Sequence, residues 1–60
     1  MNKHDIVAFG HKGASLDELV IFAAQLDTVV SGFERLWVEK PEWLAAKEAE
    51  TKAELAERLK

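Results

Sequence analysis

Leu19, Phe22, Leu26, Val29, Phe33 and Leu36 alternate at spacings of three and four residues, and Leu16, Ala23, Val30 and Trp37 recur every seven beside them. This spacing keeps one side of a 3.6-residue helix apolar, and it predicts one long helix over residues 15–40 with a continuous seam. Ser15-Leu16-Asp17-Glu18 gives that helix a start signal. The Ser15 hydroxyl can accept from the Glu18 amide while the Glu18 carboxylate reaches back to the Ser15 amide. Asp17 and Glu18 also suit the positive end of the helix dipole. The weak stretch is Thr28-Val29-Val30-Ser31-Gly32, where β-branched residues and an interior glycine lower helix propensity. The seam keeps its phase across it, so the prediction remains one helix. Gly32 is either a place where a neighbouring helix approaches closely or a tolerated surface glycine.

Pro41 ends this helix and opens a second over residues 41–60, because proline lacks an amide that only an interior position needs. The second helix is rich in Ala, Glu, Lys and Leu, all good helix formers. Its large apolar residues are few: Trp43, Leu44, Leu55 and Leu59. Its amino end is expected to pack and its carboxyl end to be solvated. Two arrangements fit, a helical hairpin and a Pro-kinked pair.

Residues 1–14 read as an extended arm. Asp5-Ile6-Val7-Ala8-Phe9 is short and β-prone, and Gly10-His11-Lys12-Gly13 is turn-like. An isolated strand has no ladder partner, so the arm is flexible, paired with another chain, or folded back on the helix. The fold class predicted is all-α, a single small domain over 1–60: arm, long amphipathic helix, charged helix.

The two helices do not balance. The first carries ten seam residues and the second has little to set against them. Each large side chain left wet forfeits about 1.5–3 kcal/mol of burial, a serious loss for a domain of about 5–15 kcal/mol total stability. The reading is therefore that another protein covers the seam, with Leu19, Phe22, Leu26, Val29, Val30, Phe33, Leu36, Trp37 and Trp43 as interface residues. Trp37 and Trp43 flank Pro41, where they either anchor a partner or pack the corner. Val20 and Ile21 project away from the seam. Either the arm's Ile6, Val7 and Phe9 lie over them, or they form a second contact surface.

Charge and composition narrow the classes. The net charge is −3, distributed as +1 over residues 1–14, −3 over 15–40 and −1 over 41–60, which disfavours nucleic acid. There is no cysteine, hence no disulfide framework or thiolate zinc site. The longest apolar run, Leu19–Ala24, is far short of a membrane span, and Asp5 interrupts any signal-peptide core. A soluble protein of the cytoplasm, or of a larger particle, is expected.

The chemical constellations are thin. His4, Asp5 and His11 offer metal donors but lie on the arm with no further Cys or His. Gly10–Ser15 precedes a helix start but lacks the spacing of a phosphate-binding loop. No nucleophile, base and orienter can be assembled. No enzyme activity, cofactor or metal is expected. The function predicted is a non-enzymatic helical interaction module that self-associates or docks into a larger assembly, for which a small structural subunit of a particle such as a virion fits the same features. The alternative is a small monomeric inhibitor or adaptor of one enzyme or regulator.

Overall fold

The computed structural model describes residues 2–60, and every regular element among them is helical. The elements are α1 (Lys3–Ala8), α2 (Leu16–Arg35) and α3 (Glu42–Arg58).

The amino-terminal segment is not the extended arm that its β-prone residues suggested. Asn2 caps α1, its Oδ1 accepting from the Asp5 amide at 3.0 Å. The helix satisfies its own backbone, whereas a lone strand would leave its amides without partners. It also turns Ile6 into the protein interior, where only 1% of that residue remains exposed. The missed signal is Asn2-Lys3-His4-Asp5, a cap with an acidic residue three positions on. Of the three fates open to the segment, it folds back.

Helix α2 starts where the sequence said. The Ser15 Oγ accepts from the Glu18 amide at 3.2 Å, and it donates to the Glu18 carboxylate at 3.1 Å instead of that carboxylate reaching the Ser15 amide. The helix ends earlier than expected, at Arg35 and not near Lys40. Leu36 caps it, the Trp37 amide donates to the Glu34 carbonyl at 3.2 Å, and the Val38 amide donates to the Phe33 carbonyl at 3.2 Å. These two bonds are the pair that closes a Schellman motif, with Trp37 in the left-handed position at φ 56°. Pro41 then stands immediately before α3 and not within it, its carbonyl accepting from the Leu44 and Ala45 amides. Residues 36–41 therefore separate two distinct helices, and a single kinked helix is ruled out.

Helix α3 packs on α2, and α1 packs on α3. Ile6, Phe22, Leu26, Val30 and Leu44 form the core, with Phe9, Val29, Phe33 and Trp43 packed against it. Phe9 stacks on Phe22 with ring centroids 3.8 Å apart and planes 3° from parallel. Much of the seam thus finds its cover inside the chain. The amino-terminal segment supplies Ile6 and Phe9, which an extended, departing arm would not have done.

Candidate functional site

The nine residues proposed for an interface fall into three groups. Leu19, Phe22, Leu26 and Val30 are buried within the chain. Val29, Phe33 and Trp43 are half-buried against the same core. Trp43 also lies beneath the Lys3 ammonium, 5.6 Å from the ring centroid, a cation–π contact that ties α1 to the start of α3. Leu36 and Trp37 alone of the nine stand open to solvent, at 73% and 96% exposure. The two tryptophans beside Pro41 therefore do different things: Trp43 packs and Trp37 does not.

Trp37 is held outward by the helix terminus. The left-handed position of a Schellman motif is the one glycine favours, because a Cβ there crowds the following carbonyl. An aromatic residue in that conformation costs about 1–2 kcal/mol, and the exposed indole recovers none of it by burial. Val38 follows, also exposed. Leu36, Trp37 and Val38 thus form an apolar projection at the junction between α2 and α3. Val38 carried no signal of this in the sequence, because helix periodicity was extended through it.

The charges around this projection are unevenly neutralised. Lys40 donates to the Glu48 carboxylate at 2.6 Å, which fastens the connection to α3 and occupies its nearest lysine. Glu34, Glu39 and Glu42 are exposed, with Arg35 the exposed cation among them.

A second polar arrangement lies at the loop between α1 and α2. His11 is buried, with 8% of its surface exposed. Its Nε2 is 2.9 Å from the Thr51 Oγ1, and its Nδ1 is 3.4 Å from the Glu50 carboxylate. Thr51 spends its single hydroxyl hydrogen on the Lys47 carbonyl at 2.6 Å. It must therefore accept from His11, which assigns the proton to Nε2 in the neutral ring. The His11 pKa is lowered, by burial first and by the Lys47 ammonium second, while Glu50 and Glu54 pull the other way. The ring also meets Phe9 and Phe22 edge-on.

Lys47 donates to the Phe9 carbonyl at 3.2 Å, and the Arg58 guanidinium donates to the His11 and Lys12 carbonyls at 3.0 and 3.3 Å. The last turn of α3 is exposed as expected at Ala56, Glu57 and Leu59, yet Arg58 within it clamps the loop. An open cleft of about 570 Å³ lies between the glycine-flanked loop and α3, reaching Glu50 and Glu54. No sequence pattern could have paired His11 with Thr51, forty residues away.

Among the described residues, no three His, Cys, Asp or Glu side chains are gathered to hold a metal ion, so His4, Asp5 and His11 are not brought together. No described helix is long and apolar enough to cross a membrane. Comparison with protein families, with curated proteins and with solved structures found no match.

Proposed function

We propose that this protein is a non-enzymatic interaction module that docks on another protein through Leu36, Trp37 and Val38. The observation that carries the reading is Trp37, 96% exposed and held in a left-handed backbone conformation at φ 56°. Strain that burial of the side chain does not repay is a feature to be explained by function. Tryptophan is also among the commonest residues to dominate binding energy when it enters a partner's pocket. In this reading α2 and α3 act as a helical hairpin whose connection carries the aromatic anchor, and α1 closes the hairpin's own core. The seam argument then narrows from nine residues to the two that remain open, Leu36 and Trp37, joined by Val38.

The partner is a protein with an apolar pocket wide enough for an indole and a basic rim. The rim follows from the exposed Glu34, Glu39 and Glu42, which outnumber Arg35, the one exposed cation between them in sequence. A small structural subunit of a larger assembly, such as a virion, is one setting in which such a module serves, in the cytoplasm or within the particle. Adaptor or inhibitor binding to one regulator uses the same surface.

A photo-crosslinking aromatic amino acid in place of Trp37, expressed in the native cells, tests the reading. The expected result is one discrete adduct with a different protein, absent when the crosslinker replaces the exposed Glu57 instead. Absence of an adduct at position 37, or equal labelling at both positions, overturns it.

A further inference from the structure

The face of α2 directly opposite the core is unusual for a solvent-facing helix surface. At 100° per residue, Asp17, Val20, Ile21, Ala24, Thr28, Ser31, Gly32 and Arg35 fall within about 60° of one line along the helix. Leu19, Phe22, Leu26 and Val30, which are buried, lie on the other side. All eight stripe residues are exposed. Val20 and Ile21 retain 52% and 58% exposure, so the amino-terminal segment does not cover them. Thr28 turns its hydroxyl to the Ala24 carbonyl at 3.2 Å, which satisfies the one polar group at the middle of the stripe. No heavy atom lies within 4 Å of where a Cβ on Gly32 would stand.

Charge occurs in the stripe only at its ends, and with opposite sign. Asp17 stands at the amino end and Arg35 at the carboxyl end. Among the described residues, neither makes an ion pair within the chain. A monomer's outward helix face ordinarily carries charge along its length. This one is self-complementary when reversed.

We infer that this face docks a second copy of the same chain, the two α2 helices packing antiparallel about a two-fold axis between Ala24 and Thr28. In that register Asp17 of each copy meets Arg35 of the other. Ile21 comes opposite Gly32 and Val20 opposite Ser31, so large residues meet small ones. Ala24 and Thr28 cross at the axis, where small side chains let helices approach closely. A parallel pair would place Asp17 against Asp17 and Arg35 against Arg35, and would align the two helix dipoles. Antiparallel packing is the arrangement the charges select. The stripe is about 27 Å long at 1.5 Å per residue and one helix wide. That is smaller than the ~800 Å² per partner of a stable interface, so the dimer forms and dissociates with concentration. This face is separate from the Trp37 projection, and either proposal stands without the other.

Sedimentation velocity on the full chain, from micromolar to millimolar concentration at low salt, tests the inference. The wild-type chain is expected to shift from monomer to dimer across that range. Asp17→Arg and Arg35→Asp are each expected to raise the dissociation constant about tenfold or more, because each places like charges at both ends. Mixed in equal amounts, the two variants form a heterodimer in which both end pairs are again opposite in charge. The mixture should therefore associate nearly as tightly as wild type. Circular dichroism of each variant confirms that α2 remains folded, and Ile21→Lys supplies a second disruption at an exposed position. A wild-type chain that stays monomeric at millimolar concentration overturns the inference. So does a mixture that associates no better than either variant alone. A Trp37 substitution leaves all of these readouts unchanged, so failure here does not touch the docking reading above.

Discussion

Replacing Trp37 with glycine should make the protein more stable, the reverse of what losing a tryptophan ordinarily does. Removing a buried tryptophan costs about 3–5 kcal/mol, through lost transfer energy and the cavity left behind. At 96% exposure Trp37 has almost no burial to lose. What the substitution changes is the backbone at φ 56°. Relief of the left-handed conformation is worth about 1–2 kcal/mol, and the greater freedom of glycine in the unfolded chain returns about 0.5–1 kcal/mol. Central values leave a net of about 0.75 kcal/mol of stabilisation. With a slope near 1 kcal/mol per molar urea for a chain this small, the midpoint should rise by about 0.5–1 M. Trp37→Ala is the control, since alanine keeps the strain while removing the indole, and its midpoint should stay close to wild type. A lower midpoint for Trp37→Gly, or equal midpoints for the two variants, would refute the reasoning. Either result would mean that the indole packs or that the backbone there is unstrained.

Leu44→Ala should cost about 2–5 kcal/mol, because Leu44 is fully buried in the core that joins all three helices; an unchanged urea midpoint would contradict that packing. Stability should fall on acidification. The folded His11 pKa is held below the ordinary histidine value of 6.5 by burial and Lys47, so the unfolded chain takes up the proton first; the contribution is complete above about pH 6.5 and is lost as pH drops through the folded value. Urea midpoints between pH 5 and 8 check this, and His11→Gln should flatten the dependence. Arg58→Ala should free the loop around His11 and Lys12, read as faster amide exchange there while α2 stays protected; equal protection in both proteins would show that Arg58 does not hold the loop.

Periodicity read from the sequence was sufficient wherever a helix buries one side along its length. Leu19, Phe22, Leu26 and Val30 are inside as their spacing requires, and the Ser15 cap sits at the stated start. The end of α2 was not legible. A left-handed terminus is announced by glycine or asparagine, and here the position holds tryptophan. The apolar Leu36, Trp37 and Val38 also continued the seam's pattern past the point where the backbone leaves the helix. At the amino terminus, β-branched Ile6 and Val7 suggest a strand, and the segment is too short for periodicity to decide. Tertiary context decided it, since a helix delivers Ile6 to the core and an unpaired strand satisfies no backbone groups.

The apolar seam of α2 is larger than α3 alone can cover. Once α1 folds back and brings Ile6 and Phe9 to the core, the requirement for an external partner disappears from the buried part of the seam. It survives where the chain's own residues do not reach, at Leu36, Trp37 and Val38, with the seam's first residue, Leu16, also left exposed. The outward face of α2 is different in kind. Val20 and Ile21 lie off the seam, and they stay exposed while Ile6 is buried in the core. If both proposals hold, the dimer places its two Trp37 projections beyond opposite ends of an antiparallel helix pair. A partner with two pockets would then be bound with the avidity of a bivalent ligand, with no contact beyond those each copy makes alone.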